Sequence, residues 1–146
     1  MVHWEQSYQF GKSKEADILQ LLREFFKRDI QQYPNKYDDF DFYDDETEYE
    51  VKSRTNIYSK YPTTMITQNK TQKLTSKKVI LLFNFIDGLY YIEYNTSQFR
   101  RYQTRLFSRL GEAWDEKIHI YIPITDLKKV ELIEEPIEEP IEEPIL

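Results

Sequence analysis

Two carboxylates and a lysine share one face of a predicted β-hairpin in the first third of the chain. The segment from Asp41 to Lys52, DFYDDETEYEVK, is typical of two short strands joined by an acidic turn. If the turn is centred on Asp45-Glu46, Asp41 lies opposite Glu50, and strand alternation puts Lys52 on the face of Glu50. Carboxylates that close repel each other unless a cation lies between them. The pattern therefore predicts a divalent metal with an ammonium group beside it.

These residue types suit the hydrolysis of a phosphodiester. A metal held by Asp41 and Glu50 would polarise a phosphoryl oxygen and lower the pKa of a bound water. Lys52 would orient that water or stabilise negative charge in the transition state. Carboxylate ligands favour Mg²⁺ or Mn²⁺. The chain has no cysteine and two histidines, which excludes thiolate metal sites and disfavours a histidine-rich zinc site.

Plainer interpretations of the same residues remain open. Four further aspartates crowd the segment: Asp38, Asp39, Asp44 and Asp45. Strand parity favours the odd-numbered positions, and the cross-strand count favours Asp41 among them. For Glu50 and Lys52 the alternative is an exposed ion pair on a strand face, worth about 0–1 kcal/mol.

The elements around the hairpin predict an α/β fold. Apolar residues at 18, 19, 21, 22, 25 and 26 form a helical stripe, with Ser13 as a candidate N-cap and Pro34 beyond the end. The run from Lys77 to Phe85 predicts a buried central strand, because it is apolar on both faces. An Asp87-Gly88 turn follows it and predicts a second hairpin. Two further elements are expected: a short helix capped by Thr63 or Thr64 and ending near Lys73, and a strand over residues 117–122.

The chain is expected to form one domain over residues 1–132 with an acidic tail over 133–146. The tail repeats Glu-Glu-Pro-Ile, and its regular prolines predict an extended, solvated segment. Six of the 26 acidic residues lie there, so the remaining chain carries 20 acidic and 20 basic residues. No signal-peptide pattern and no run long enough to span a membrane are found, which predicts an intracellular protein that is not secreted and has no membrane partner.

Over residues 11–94 the order of helix, acidic strand, Glu-x-Lys strand, short helix and further strands resembles the PD-(D/E)xK nuclease superfamily. That resemblance implies a mixed central β-sheet flanked by helices, with a restriction-endonuclease-like core. It implies that Asp41 is the metal-binding aspartate, Glu50 the second acid and Lys52 the motif lysine. It further implies three supporting positions: the carbonyl of Val51 as an extra metal ligand, Glu15 as the glutamate of the first helix, and Gln68 or Lys70 as the polar residue after the motif. Read without the resemblance, Glu15 is a first-turn acid or capping partner.

Basic residues outside the motif are candidates for nucleic-acid binding. Arg101, Arg105 and Arg109 would share one face of a helix and follow the phosphates, or form only its polar side. Arg54 would grip a phosphate or mark an exposed strand end, and Lys70 would line the approach to the site.

The predicted function is a Mg²⁺-dependent endonuclease that acts on duplex or branched DNA. Cutting both strands with one small site commonly takes two copies, so a homodimer is an open alternative. A second alternative is a module with the same fold that binds nucleic acid or protein without cutting it. A third makes the acidic tail the main element, docking on a basic partner or competing for the DNA groove.

Overall fold

The computed structural model describes residues 15–35, 37–72 and 75–132. The helix predicted from the apolar stripe is present as α1, over residues 15–26. A four-residue helix, α2, covers Thr96–Phe99. The strands in the described residues are β1 (Gln31–Gln32), β2 (Phe42–Tyr43), β3 (Thr47–Ser53), β4 (Thr63–Thr67), β5 (Lys78–Phe85), β6 (Gly88–Glu93), β7 (Thr104–Phe107), β8 (Lys117–Pro123) and β9 (Lys128–Lys129). Short 3-10 turns lie at Gln68–Lys70, Ala113–Asp115 and Ile124–Asp126.

A mixed sheet of six strands forms the centre of the fold. Its order is β1-β2-β3-β5-β6-β9. The pairing of β3 with β5 is parallel, and the other neighbouring pairs are antiparallel. A parallel pair needs a crossover connection. Here the crossover contributes β4 to a second, antiparallel sheet of order β4-β8-β7.

The central sheet is covered differently on its two faces. Helix α1 packs on one face through Leu22, where Tyr49, Ile80 and Leu82 are also buried. On the other face the second sheet packs against β5 and β6, and the buried residues there are Ile66, Leu81, Phe83, Phe85, Ile92, Phe99, Ile120, Ile122 and Leu127. The two-sided burial of β5 confirms the prediction of a central strand. The mixed-sheet α/β architecture expected from the resemblance is also confirmed.

Two predicted helices are wrong. Residues 63–67 form a strand because the buried Thr64 and Ile66 alternate with less buried neighbours and pair with Ile122 and Ile120 against the core. The 3-10 turn at Gln68–Lys70 is the only helical part of that prediction within the described residues. Cross-strand burial outweighs a weak helical pattern in this segment.

The arginine segment is likewise not one helix. Helix α2 ends at Phe99, and β7 then pairs with β8 from Thr104 to Phe107. Arg101 lies in the turn between them and Arg105 in the strand, so the helical row of arginines does not exist. All four residues of β7 are exposed, so its pairing with β8, and not side-chain burial, sets the conformation of this segment.

Some predictions fall outside the described residues. They concern the N-cap at Ser13, the helix end near Lys73 and the tail over 133–146. No helix within the described residues has both the length and the apolar character needed to cross a bilayer.

Candidate metal centre

The hairpin has the register expected from the sequence. Phe42 pairs with Tyr49, and Tyr43 pairs with Glu48. The turn closes where the N–H of Asp44 donates to the carbonyl oxygen of Thr47 at 2.9 Å. The predicted turn at residues 45 and 46 is therefore confirmed.

Asp41 lies immediately before β2, at the end of this ladder, and its carboxylate reaches β3. Its N–H donates to the carbonyl oxygen of Tyr49 at 2.9 Å. Its Oδ2 accepts a hydrogen bond from the N–H of Val51 at 2.7 Å. Burial, followed by the charge of Glu50, raises the pKa of Asp41 to about 6, against the lowering effects of the Val51 N–H and Lys52. The structure thus brings the carboxylates of Asp41 and Glu50 into one electrostatic unit.

Glu50 is buried and faces two lysines. Its residue exposure is 5%. The Nζ atoms of Lys52 and Lys70 lie 3.2 and 3.3 Å from the same oxygen, Oε1 of Glu50. An exposed ion pair on a strand face does not describe this arrangement, because the carboxylate is almost withdrawn from water. Each lysine side chain keeps roughly a third of its surface exposed, at 31% and 28%.

Glu48 shares the face of Glu50 but has a different environment. Both of its carboxylate oxygens accept from the hydroxyl of Tyr33, at 2.9 and 2.7 Å. The Nζ of Lys77 lies 3.7 Å from Oε1 of Glu48 and donates to the backbone oxygen of Asp44 at 2.9 Å. The contacts of Glu48 with Tyr33 and Lys77 therefore connect the hairpin to neighbouring segments of the chain.

The other aspartates are placed away from this role. Asp44 is buried, and hydrogen bonds from Tyr49, the Glu46 N–H and Arg28 outweigh that burial and hold the pKa of Asp44 below its usual value. Asp38 accepts from the N–H of Asn35. Asp39 and Asp45 lie at exposed positions. Among the aspartates of this segment, the geometry therefore favours Asp41.

Glu15 lies in the first described turn of α1, within electrostatic reach of Asp41. Its Oε2 accepts a hydrogen bond from Nε2 of Gln32 at 3.0 Å. Its charge also contributes, as the smallest of the named causes, to the raised pKa of Asp41. Glu15 therefore acts on the centre from the helix.

The donor set fits a hard divalent cation. Within the described residues, neither Oδ1 of Asp41 nor Oε2 of Glu50 accepts a hydrogen bond, so each carboxylate keeps one oxygen for a ligand. The N–H of Val51 points toward Asp41, and in a strand the carbonyl of the same residue points to the same side. No group of three or more acidic or histidine side chains capable of holding a metal occurs in the described part of the chain, so waters or substrate would complete the shell, as Mg²⁺ prefers.

The predicted nucleic-acid residues are dispersed. Lys70 lies at Glu50, as described. Arg54 is held by Oγ1 of Thr64 at 3.1 Å and by the backbone oxygen of Met65. Arg101 and Arg105 are exposed. Gln68, the alternative to Lys70, has no side-chain hydrogen bond to the centre within the described residues.

A groove beside Lys52 brings Arg54 together with residues that the sequence pattern did not single out for a site. Its volume is about 320 Å³, and its lining includes Arg54, Arg109 and His119. Arg109 was considered only as part of a helical row, and neither histidine has a spacing that indicates a site. Their convergence depends on how β8 and the segment after β7 lie against β4, which local sequence does not reveal.

Comparison with known proteins assigns the sequence to a family. The model of the family described as phage putative PDDEXK endonuclease matches residues 4–130, a span that includes the candidate centre and both sheets. No curated protein and no solved structure matches the chain significantly. On the strength of the family match over most of its length, the chain belongs to the phage PDDEXK endonuclease family.

Proposed function

We propose that this protein is a Mg²⁺-dependent endonuclease that hydrolyses phosphodiester bonds in DNA. The observation that supports it most directly is the pairing of the half-buried Asp41 with the buried Glu50, with Lys52 beside them. Asp41, Glu50 and the Val51 carbonyl would hold the metal, and Mn²⁺ would be accepted by the same oxygen ligands. When bound, the metal would polarise a phosphoryl oxygen and lower the pKa of an attacking water.

The lysines supply the remaining charge. Lys52 has its Nζ 3.2 Å from Glu50 and part of its side chain in solvent, so its ammonium group can meet an incoming phosphate. There it orients water or stabilises the negative charge of the transition state. Lys70, bound to the same oxygen, neutralises Glu50 from the crossover side and helps to hold that carboxylate in place.

The test is nicking of a supercoiled plasmid by the purified full chain. We expect conversion to open-circular or linear DNA in Mg²⁺ or Mn²⁺ and none in excess EDTA. Equal conversion in EDTA would overturn the metal dependence. Binding of the plasmid with no conversion in any divalent metal would instead support the module that binds without cutting. An active protein that elutes at the mass of a single copy would exclude the homodimer as the active form.

Lys52→Ala is expected to lower the nicking rate by roughly 10²–10³-fold, as the loss of one preorganised charge at a reacting group commonly does. Lys70→Ala is the matched control, because it removes the same charge from the same oxygen of Glu50. We expect a loss of about tenfold for that variant, at the lower end of the 10–100-fold that is typical when a partner that only holds a metal ligand in place is removed. Equal losses in the two variants would mean that Lys52 only neutralises Glu50.

A further inference from the structure

The groove beside Lys52 contains two arginines whose charge no carboxylate in the described part of the protein neutralises. Lys52 lines the groove together with Arg54, Arg109 and His119, among other residues. No acidic residue is among the lining residues of this cavity. Within the described residues, no carboxylate forms an ion pair with Arg54 or Arg109.

The two arginines are close enough to repel each other. Burial, followed by the charge of Arg109, lowers the pKa of Arg54. Arg54 is fixed by Thr64, by the Met65 carbonyl and by the ring of Phe83, whose centroid is 5.4 Å from Cζ. Like charges held together at a partly buried place favour an anion between them.

Other side chains extend this surface. An adjoining cavity of about 260 Å³ shares Thr67, Arg109 and His119 with the groove. Nδ1 of His119 lies 2.9 Å from the carbonyl oxygen of Lys117, and its ring packs edge-on against Phe107. Arg105 pairs with His119 across the strands and so shares its face. The acid of this extension, Asp115, accepts from the Leu110 N–H and the Ser108 hydroxyl.

We propose that this groove binds the sugar–phosphate backbone of the DNA strand next to the bond that is cut, with a phosphate held between Arg54 and Arg109. The inference rests on the proposed function, because it uses Lys52 as the point where groove and metal centre meet. The arginines would fix the strand's position without reading its bases, as phosphate contacts generally do.

The experiment measures binding of a short fluorescent DNA duplex in EDTA, where metal-dependent cutting is stopped. Arg109→Gln is the main variant. Arg54 is not chosen because its side chain is held by contacts within the fold, so that its replacement can unfold the protein. Between about 50 and about 200 mM salt, we expect Arg109→Gln to reduce the slope of log K against log salt by about 0.9, the value of one phosphate contact. We also expect about tenfold weaker binding, with the slope restored in Arg109→Lys.

The matched control is Lys128→Gln, which removes the same charge from exposed strand β9 at the far edge of the central sheet. It should leave the slope unchanged. Equal slopes for Arg109→Gln and Lys128→Gln, or no duplex binding by the wild-type chain, would overturn the proposal. Because the binding experiment requires no cutting, it distinguishes failure of this proposal from failure of the proposed function. A salt slope that depends on Arg109 in a protein that does not nick plasmid would contradict only the endonuclease activity. Plasmid nicking by a protein whose salt slope does not depend on Arg109 would contradict only the binding of DNA in the groove.

Discussion

Glu50→Gln is expected to abolish Mg²⁺-dependent nicking, with a fall of about 10³-fold or more. The substitution keeps the size of the side chain but removes the charge of a proposed metal ligand. Losing about 4 kcal/mol of transition-state stabilisation corresponds to about that factor in rate. The rate would be measured on supercoiled plasmid at saturating Mg²⁺, with thermal unfolding followed in parallel.

The matched control for this prediction is Glu48→Gln, on the same strand and the same face. Glu48 is also buried, and its partner Tyr33 can still donate to a glutamine oxygen. We expect Glu48→Gln to keep nicking within about tenfold of wild type, because the residue supports the hairpin and does not reach the metal. If Glu50→Gln nicks plasmid at the wild-type rate, the proposed metal site is rejected. If both variants lose the same nicking activity, the role of Glu50 is only structural.

Asp41→Asn is expected to make the metal-free protein more stable while it abolishes nicking. The pKa of Asp41 is about 6 in the folded protein, raised from an ordinary 3.8 by burial and by Glu50. A carboxyl group whose pKa is raised on folding contributes stability at pH values below its pKa in the unfolded chain. That contribution is lost as the pH rises through the folded-state pKa of about 6. At neutral pH the ionised Asp41 therefore costs on the order of 2 kcal/mol, after allowance for its partial exposure.

The measurement is the Tm near neutral pH, without and with Mg²⁺. In EDTA, Asp41→Asn should unfold several degrees above wild type, and the difference should vanish near pH 4. Mg²⁺ should raise the Tm of wild type, since it binds the folded state, and leave the variant unchanged. Asp45→Asn, in the exposed turn, is the control and should match wild type throughout. A lower Tm for Asp41→Asn in EDTA would contradict the strained carboxylate pair.

The same pKa gives the expected pH profile of nicking. Metal binding needs an ionised Asp41, so the rate at limiting Mg²⁺ should rise through about pH 6 and fall toward acid.

The local part of the fold was predictable because it follows from strand alternation and turn chemistry. The register that opposes residues 41 and 50 came from counting out from an acidic turn. The central strand β5 was recognisable from its unbroken apolar run. The strands β4 and β7 were not recognisable. Thr64 and Ile66 of β4 face a core that exists only after β8 lies beside them, and β7 is an exposed edge strand whose conformation comes from its pairing with β8. Short segments of this kind take their conformation from their neighbours more than from their own pattern.

The same distinction applies to the candidate site. Glu50 and Lys52 lie on β3 and Asp41 directly precedes its hairpin partner β2, so their proximity is a local property. Glu50 was identified from its position opposite Asp41, whereas the hydrogen bonds that bind Glu48 to the hydroxyl of Tyr33 could not be read from local alternation. The meeting of Arg54 with Arg109 depends on the docking of the second sheet, and no local spacing encodes it.

The parallel pairing of β3 with β5 has a consequence for the way this protein folds. The chain between those strands leaves the central sheet as β4, and on its way back Lys70 meets Glu50. Pairings that enclose long connections form slowly, because the intervening chain must lose its freedom first. Until the crossover docks, Glu50 and Asp41 face each other with Lys52 alone to oppose their repulsion. We therefore expect the acidic centre to reach its final electrostatic balance late, so that a newly made chain acquires its nuclease chemistry only when folding is complete.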